Sequence, residues 1–198
     1  MVCRQYQKKI GSEKLEELDI IERATKQLVN FTEKTNKCLS PKLAGDDLCC
    51  ASNMIYEAVE ACKSNDKQDV EVLVQFEDDV LIRCDAKSIV EVIYNILKNA
   101  YESIAQKGNI KVTAYSKKNG FYIEIIDNGV GINQEQMAHL FLPFYSTKKS
   151  NVNFGIELSY CKNVMQAHDG LIEAYSNKST GTKFILQFPS NRIKRKDA

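Results

Sequence analysis

The chain has 198 residues and a mass of 22.5 kDa, the size of one ordinary domain with room for one short extra element. Hydrophobic residues make up 43% and charged residues 27%, which argues against a disordered tail and against a protein built of membrane spans. With 27 Lys and Arg against 26 Asp and Glu the net charge is +1, so no overall field draws the chain to nucleic acid or to an anionic membrane.

Residues 12–37 predict one amphipathic helix. Ser12 is placed to cap it, and Leu18, Ile21, Thr25, Leu28, Thr32 and Thr35 step by three and four along one face. Ile20, Val29 and Phe31 widen that stripe, so the helix calls for a partner helix. Pro41 and Gly45 then break the pattern within residues 39–47, which reads as a linker. A second helix is predicted from Leu48 to Lys63, capped by Asp46 or Asp47. Two β-rich stretches follow, Val70–Phe76 and Val80–Cys84, joined by the turn Glu77-Asp78-Asp79.

Asp85 is positioned to cap a strongly periodic helix that runs to about Gln106. Its buried side reads as Ile89, Val92 or Ile93, Ile96, Leu97, Ala100 and Ile104, and Lys107-Gly108-Asn109 ends it. Strands at Ile110–Ser116 and Phe121–Ile126 predict a hairpin across Lys117–Gly120. A long connection then holds Asp127-Asn128-Gly129, a short helix at Gln134–His139 and the block Phe141-Leu142-Pro143-Phe144. The remaining elements are a helix over Phe154–Ala167, strands at Leu171–Ser176 and Thr182–Phe188, and a basic end, Arg192–Lys196, read as frayed. This order predicts an α/β fold: a two-layer sandwich with helices on one face of a mixed sheet, preceded by one long amphipathic helix.

The cysteines, at 3, 38, 49, 50, 62, 84 and 161, are odd in number and form no CxxC pair, so a reducing, cytoplasmic setting is the plain reading. The two histidines offer no spacing for zinc. No apolar run is long enough for a signal peptide or a membrane span.

Two stretches can carry chemistry. Glu91, Asn95 and Asn99 recur every four residues, offset from the greasiest stripe of their helix. Such amides either tie down neighbouring backbone or supply oxygen to Mg²⁺. Asp127-Asn128-Gly129-Val130-Gly131-Ile132 follows a hydrophobic strand, and its carboxylate is placed to accept a hydrogen bond from a purine amine; alone, the block is also an ordinary turn. It fits neither a dinucleotide fingerprint nor a P-loop.

Taken together these blocks carry a resemblance. "EVIYNILKNAYES" (91–103) resembles the N box of the histidine-kinase branch of the Bergerat-fold ATPases, "DNGVGI" (127–132) the first glycine box, and "FLPFYSTK" (141–148) the F box. "NFGIELSYCKNVMQAHDGLI" (153–172) is similar to the second glycine box and its helix, and Thr180-Gly181-Thr182 to the last glycine motif. The likeness covers about residues 47–189, and residues 12–37 look like the second helix of a dimerisation and phosphotransfer domain. The implied division is a partial dimerisation helix at 1–38, a linker at 39–47, an ATP-binding domain at 48–190 and a basic tail at 191–198.

The resemblance implies ATP and Mg²⁺ as cofactors and gives the residues roles. Asn99 matches the metal-binding asparagine, and Asn95 the residue that arranges phosphates and metal. An asparagine has no proton equilibrium near neutral pH and cannot prepare water for attack, which favours holding ATP for another acceptor. Asp127 matches the adenine-recognising aspartate, with Gly129 and Gly131 shaping the pocket and Ile126 and Ile132 as apolar walls. Phe141 and Phe144 read as lid anchors. Tyr145, Ser146, Thr147 and Lys148 are expected on the phosphate side, with Lys148 or Lys149 offsetting phosphate charge; Asn95, Asn99 and Lys148 form the implied catalytic set. Thr182 is expected near the base through water. The second glycine box departs from the family: its three glycine positions read Asn153, Gly155 and Glu157. Glu157 would bring bulk and negative charge close to a polyphosphate.

The implied activity is transfer of the ATP γ-phosphoryl to a histidine outside this chain, since His139 and His168 lie in no acceptor motif and read as structural. Expected partners are a histidine-bearing dimerisation helix in cis or in trans, a response regulator and a second copy of the chain. Nucleic acid and membrane contact by this stretch are not expected. The expected location is the cytoplasm, compatible with a parent anchored in a membrane through an upstream segment. Two alternatives stand beside this reading: a regulatory or dimerisation module with an impaired nucleotide site, and a Bergerat-fold ATPase or protein-serine kinase acting as a regulator.

Overall fold

A computed structural model describes residues 2–41, 43–63, 69–146, 155–178 and 180–195, with side chains from residue 17 onward apart from residue 34. The chain divides into two compact units, Met1–Lys37 and Cys38–Ala198. Helix α1 spans Val2–Leu39, so it starts ahead of Ser12 and runs through it instead of being capped there. Its periodic apolar residues Leu18, Ile21 and Leu28 are each at least 60% exposed, and the hydroxyls of Thr25 and Thr32 bond back to the carbonyls four residues earlier.

The second unit is built on a five-stranded mixed sheet in the order β2 (Asp69–Phe76), β4 (Lys107–Lys117), β5 (Gly120–Asp127), β7 (Thr182–Pro189), β6 (Leu171–Ser176). Only the β2–β4 pair is parallel. Alternation decides the inner face: Phe121, Ile123 and Ile125 of β5 and Phe184, Leu186 and Phe188 of β7 point to the helices and are buried. Helices α2 (Ala51–Lys63), α3 (Ala86–Ser103) and α5 (Glu157–Ala167) pack over that face through Met54, Ile55, Ile89, Ile93, Ile96, Val164 and Met165. Each isoleucine here is out of water, a stabilisation of about 1.5–3 kcal/mol.

A second, three-stranded antiparallel sheet, β1-β3-β8, closes one end. It corrects several sequence expectations. Asp47–Cys50 is strand β1, paired with β3 (Val80–Cys84), so α2 begins at Ala51 and not at Leu48. The carboxylate at its start comes from Asp79, which accepts Ser52 N at 3.1 Å and Ser52 Oγ at 2.8 Å, and not from Asp46 or Asp47. The turn Glu77–Asp79 therefore passes from one sheet to the other. Helix α3 stops at Ser103, and Lys107-Gly108-Asn109 already belong to β4, because the parallel pairing with Asp69–Glu71 recruits them. The basic end is not frayed over its described part: β8 (Ile193–Arg195) pairs with β3. Arg192 bridges Asp46 and Asp169 at 2.6 and 2.9 Å, and these carboxylates push its guanidinium further up its basic range.

Candidate functional site

Helix α3 presents one face to the core and another to a cleft. Its start is fixed as the sequence predicts: Asp85 accepts Lys87 N and Ser88 N as N-cap. Burial alone would raise the Asp85 carboxyl. The N–H groups of Ala44, Ser88 and Lys87 and the Ser88 hydroxyl outweigh that and hold it below its usual range. Asn95, Lys98, Asn99, Glu102 and Ser103, at helical spacing, form one wall of a cleft of about 300 Å³. Behind this wall the buried Cys161 thiol of α5 donates to the Val92 carbonyl of α3 at 3.8 Å, and burial drives its pKa up. Glu91, one turn earlier, is not on this wall; it accepts the Tyr160 hydroxyl at 2.7 Å and joins α3 to α5.

At the other end of the cleft, the last residues of β5 and β6 and the first of β7 share one row. Asp127 of β5 sits opposite Thr182 of β7, and Thr182 opposite Ser176 of β6. Asp127 is 4% exposed and points the same way as Ile125, because residues two apart share a face. Its Oδ1 accepts Gly129 N at 2.9 Å and Ser103 Oγ at 3.0 Å. Burial pushes the Asp127 carboxyl above the usual carboxylate range, while the Gly129 N–H, the Ser103 hydroxyl and the Thr182 N–H pull against it. Ser176 Oγ donates to the Gly181 carbonyl at 2.7 Å and accepts Ile132 N at 2.8 Å, so it pins the loop after Asp127 to the turn before β7.

The third side comes from the connection between β5 and α5. Helix α4 (Gln134–His139) is set by a capping box between Asn133 and Gln136. Gly131, Ile132, Gln136, Leu140, Tyr145, Ser146, Gly155, Glu157 and Leu158 line the cleft here, with Phe184 of β7 below. Gly155 has φ +67°, and a Cβ there would stand 2.5 Å from the Tyr145 carbonyl oxygen. Only glycine lets the chain return against Tyr145 at this point. Glu157 opens α5, and its Oε2 accepts Ile156 N at 3.2 Å.

The structure thus brings Asn95, Asn99, Asp127, Gly131, Ile132, Tyr145, Ser146, Gly155 and Thr182 around one cavity. Thr147, Lys148, Lys149 and Asn153 lie outside the described residues. Gly129 does not line the cleft: it packs directly on Ser103, where a side chain would collide, and its N–H serves Asp127. Ile126 is not a wall either, because it alternates with Asp127 and sits opposite Lys183 on the other face of the sheet. Phe144 is 56% exposed with φ +66°, so it is no buried anchor; Phe141 packs partly against the core. Sequence reasoning missed Lys98, Glu102, Ser103 and Ser176. The first three extend the Asn95–Asn99 spacing by three, seven and eight residues and were legible; Ser176 was not, because its role depends on strand register.

The two histidines differ in setting, and only His168 is closed off on both ring nitrogens. His168 is fully buried, with Nε2 accepting Asp85 N at 3.0 Å and Nδ1 donating to the Val164 carbonyl at 2.8 Å. His139 bonds the Glu135 carbonyl through Nδ1 and lies against Tyr145. No group of three His, Cys, Asp or Glu able to hold a metal occurs among the described residues. A hard cation in the cleft would therefore draw on amide oxygen and on oxygens brought by a ligand.

A helix-on-sheet domain with amides at one end of a cleft and a buried carboxylate at the other is the framework of an ATP-binding catalytic domain. Residues 84–192 match the histidine kinase-, DNA gyrase B- and HSP90-like ATPases, and the chain belongs to that family. Sporulation kinase D of Bacillus subtilis (strain 168) is 32% identical over 123 residues, which are 61% of this chain and 24% of that protein. Sensor histidine kinase ZraS of Escherichia coli (strain K12) is 30% identical over 184 residues, 91% of this chain and 37% of that protein. Mycobacterial sensor histidine kinase MprB shares the fold, with a TM-score of 0.67 at 19% identity, covering 76% of this chain and 99% of that one. The chain spans well under half the length of these curated relatives. The chain is thus an ATP-binding domain of that ATPase family, similar to part of these histidine kinases, and the comparisons do not favour the regulatory-module or serine-kinase alternatives.

Proposed function

We propose that the cleft holds Mg²⁺-ATP, with adenine against Asp127 and the phosphates toward Asn95, Asn99 and the first turn of α5. The γ-phosphoryl then passes to a histidine on a dimerisation helix, in cis or in trans, and from there to a response regulator. The observation that carries this reading is the single cleft shared by Asp127 and the amide face of α3. Its size is at the lower end of the range of about 300–1,000 Å³ typical of small-molecule sites.

Mg²⁺ would neutralise charge developing between the β- and γ-phosphates. The donor set suits it: the Asn99 amide oxygen is a single protein ligand, and this ion keeps mostly water and phosphate oxygens. Asn95, on the same wall, orients phosphate without abstracting a proton. Glu91 is engaged by Tyr160 and is not turned to the cleft, so no carboxylate one turn behind Asn95 is free to activate water. These features favour transfer over hydrolysis. Lys98, on the same wall and 3.8 Å from the Glu102 carboxylate, is the cation there that would turn to offset phosphate charge. Thr147 and Lys148 join the phosphate side through the family resemblance. The domain works in the cytoplasm, and α1 pairs with a second copy through its exposed apolar stripe. No described helix is long and apolar enough to cross a membrane.

The test is calorimetric titration of the chain with ATP, with and without Mg²⁺, beside Asp127→Asn, followed by transfer to an added histidine-bearing dimerisation helix. The expected result is Mg²⁺-dependent binding that Asp127→Asn weakens at least tenfold, a loss of about 1.4 kcal/mol, and phosphohistidine on the added helix only. Label on His139 or His168, or equal binding by wild type and Asp127→Asn, would refute the reading.

A further inference from the structure

Three sulfur atoms from three elements meet where β1 and β3 run beside α2. Cys49 pairs with Ile82 across the β1–β3 ladder, so Cys84, two residues on, lies on the same face and diagonal to Cys49. Met54, in the first turn of α2, brings its thioether sulfur to 3.8 Å from Cys84 Sγ. Cys49 Sγ stands 3.7 Å from the Cys84 carbonyl oxygen. Burial, and after it the neighbouring Cys49 thiol, push the Cys84 thiol well above its ordinary range. Cys84 is 1% exposed and Met54 3%, whereas Cys49 is only half-buried and gives the group an entry from solvent.

Each sulfur alone is ordinary core filling. Together they make a soft donor set of two free thiols and a thioether. A disulfide does not suit the thiol pair: diagonal cross-strand neighbours stand about 7–8 Å apart, against about 4.4–6.8 Å between bridged Cα atoms. An ion held between the sulfurs relaxes that demand. With metal–sulfur bonds of about 2.3 Å at trigonal angles, ligand sulfurs lie about 4.0 Å apart, close to the 3.8 Å from Cys84 to Met54.

We infer that Cys49, Cys84 and Met54 form a binding site for a soft monovalent cation, Cu(I), apart from the nucleotide cleft, which none of the three lines. Thiolate and thioether sulfur select this ion, and three ligands satisfy it. Zn²⁺ calls for a fourth ligand, and the described residues hold no group of three His, Cys, Asp or Glu to supply a harder set. On binding, Cys49 turns about its one side-chain bond from the Asp47 and Cys84 carbonyls toward Cys84 Sγ. Two S–H bonds break and two Cu–S bonds form, two protons pass to solvent, Met54 adds a lone pair, and no electron is transferred. One negative charge is left on the complex. The carboxylates nearest Cys84 are already engaged, Asp46 by Arg192 at 2.6 Å and Asp85 by the N–H groups of Ala44 and Lys87.

The experiment is anaerobic competition for Cu(I) between the whole chain and the coloured chelator bicinchoninate, with wild type, Cys49→Ser, Cys84→Ser, Met54→Leu and Cys50→Ser. Wild type is expected to withdraw one Cu(I) per chain. Loss of either thiol ligand should weaken retention at least roughly a hundredfold, and Met54→Leu roughly tenfold. Cys50 follows Cys49 and points to the opposite face of β1, so Cys50→Ser should retain the ion as wild type does. X-ray absorption should find three sulfur neighbours at about 2.3 Å in wild type and two in Met54→Leu. Unchanged retention in Cys49→Ser, an equal loss in Cys50→Ser, or the same sulfur count with and without Met54 overturns the inference. Should Cys84→Ser fail to fold, Cys49→Ser and Met54→Leu still decide, since Cys49 is partly exposed and leucine keeps the volume of methionine.

Discussion

One imidazole joins the start of α3 to the end of α5: His168 Nε2 accepts the backbone N–H of Asp85 at 3.0 Å. The other ring nitrogen donates to the Val164 carbonyl at 2.8 Å, so the ring is neutral with its hydrogen on Nδ1. Asp85 in turn fixes Ala44 at 2.7 Å and the first turn of α3. Replacing His168 by Ala empties a fully buried ring site and orphans a donor and an acceptor. The expected loss is about 3 kcal/mol of stability, read as a lower urea midpoint at an unchanged m-value. A midpoint within error of wild type would show that the ring contributes nothing to this junction.

Asp85 and Asp127 are both buried at the ends of β-strands, yet they titrate in opposite senses. Asp85 lies below its unfolded value, so it binds its proton later in the folded chain. It adds stability above the ordinary aspartate range of about 3.9, lost as pH falls through the lowered folded value. Asp127 lies above its unfolded value, so the folded chain takes up a proton first, and stability gains as pH falls from the raised value toward 3.8. For ligand binding the sign reverses, since only the ionised carboxylate is a full acceptor for a base amine. Adenosine, which carries no titrating phosphate, should therefore lose affinity on acidification at a pH above the ordinary aspartate range. Asp127→Asn should bind weakly with no such step; a step retained in that variant would assign it to another group.

Gly155 is the place where the β5–α5 connection closes on itself. Alanine there must adopt φ +67° and bring its Cβ against the Tyr145 carbonyl. The strain is about 1–2 kcal/mol for the left-handed backbone alone, with the collision added. Gly155→Ala should lower the unfolding midpoint and weaken ATP several-fold together, since Tyr145, Ser146 and Glu157 all border the same cavity. Full ATP affinity in that variant would mean that the closure does not shape the site.

Much of this was legible in the sequence where one local rule governs. The Asp85 cap, the buried stripe of α3, the β4–β5 hairpin and Gln134–His139 follow from capping, period and turn chemistry, and the structure has them within a few residues. What was not legible depends on partners remote in the chain. Asp47–Cys50 looks like the start of a helix until β3 arrives to pair with it. Lys107–Asn109 looks like a helix end until β2 lies parallel to it. The site shows the same division. Asn95, Asn99 and Asp127 announce themselves by spacing and by the strand before them. Ser103 and Ser176 matter because α3 ends beside Asp127 and β6 ends beside Thr182, relations that only the assembled sheet creates.

Glu157 sets stability against affinity. As the first residue of α5 it places a carboxylate where the helix favours negative charge, and it accepts the Ile156 N–H. It also borders the cleft at the end where phosphates are proposed to lie. Glu157→Gly removes the favourable cap and adds glycine to a helix, so the unit should lose roughly 1 kcal/mol. The same change removes a like charge from beside a polyphosphate, and ATP should bind roughly tenfold more tightly at low salt, with a gain that shrinks as ionic strength rises. Charge and bulk separate in a second variant: Glu157→Gln keeps the size and should recover most of the gain if repulsion dominates. Adenosine serves as the internal reference, because a ligand without phosphates should not respond to the charge at all. Tightening of adenosine as much as ATP would mean that Glu157 obstructs the cleft by volume, and the electrostatic account would fail.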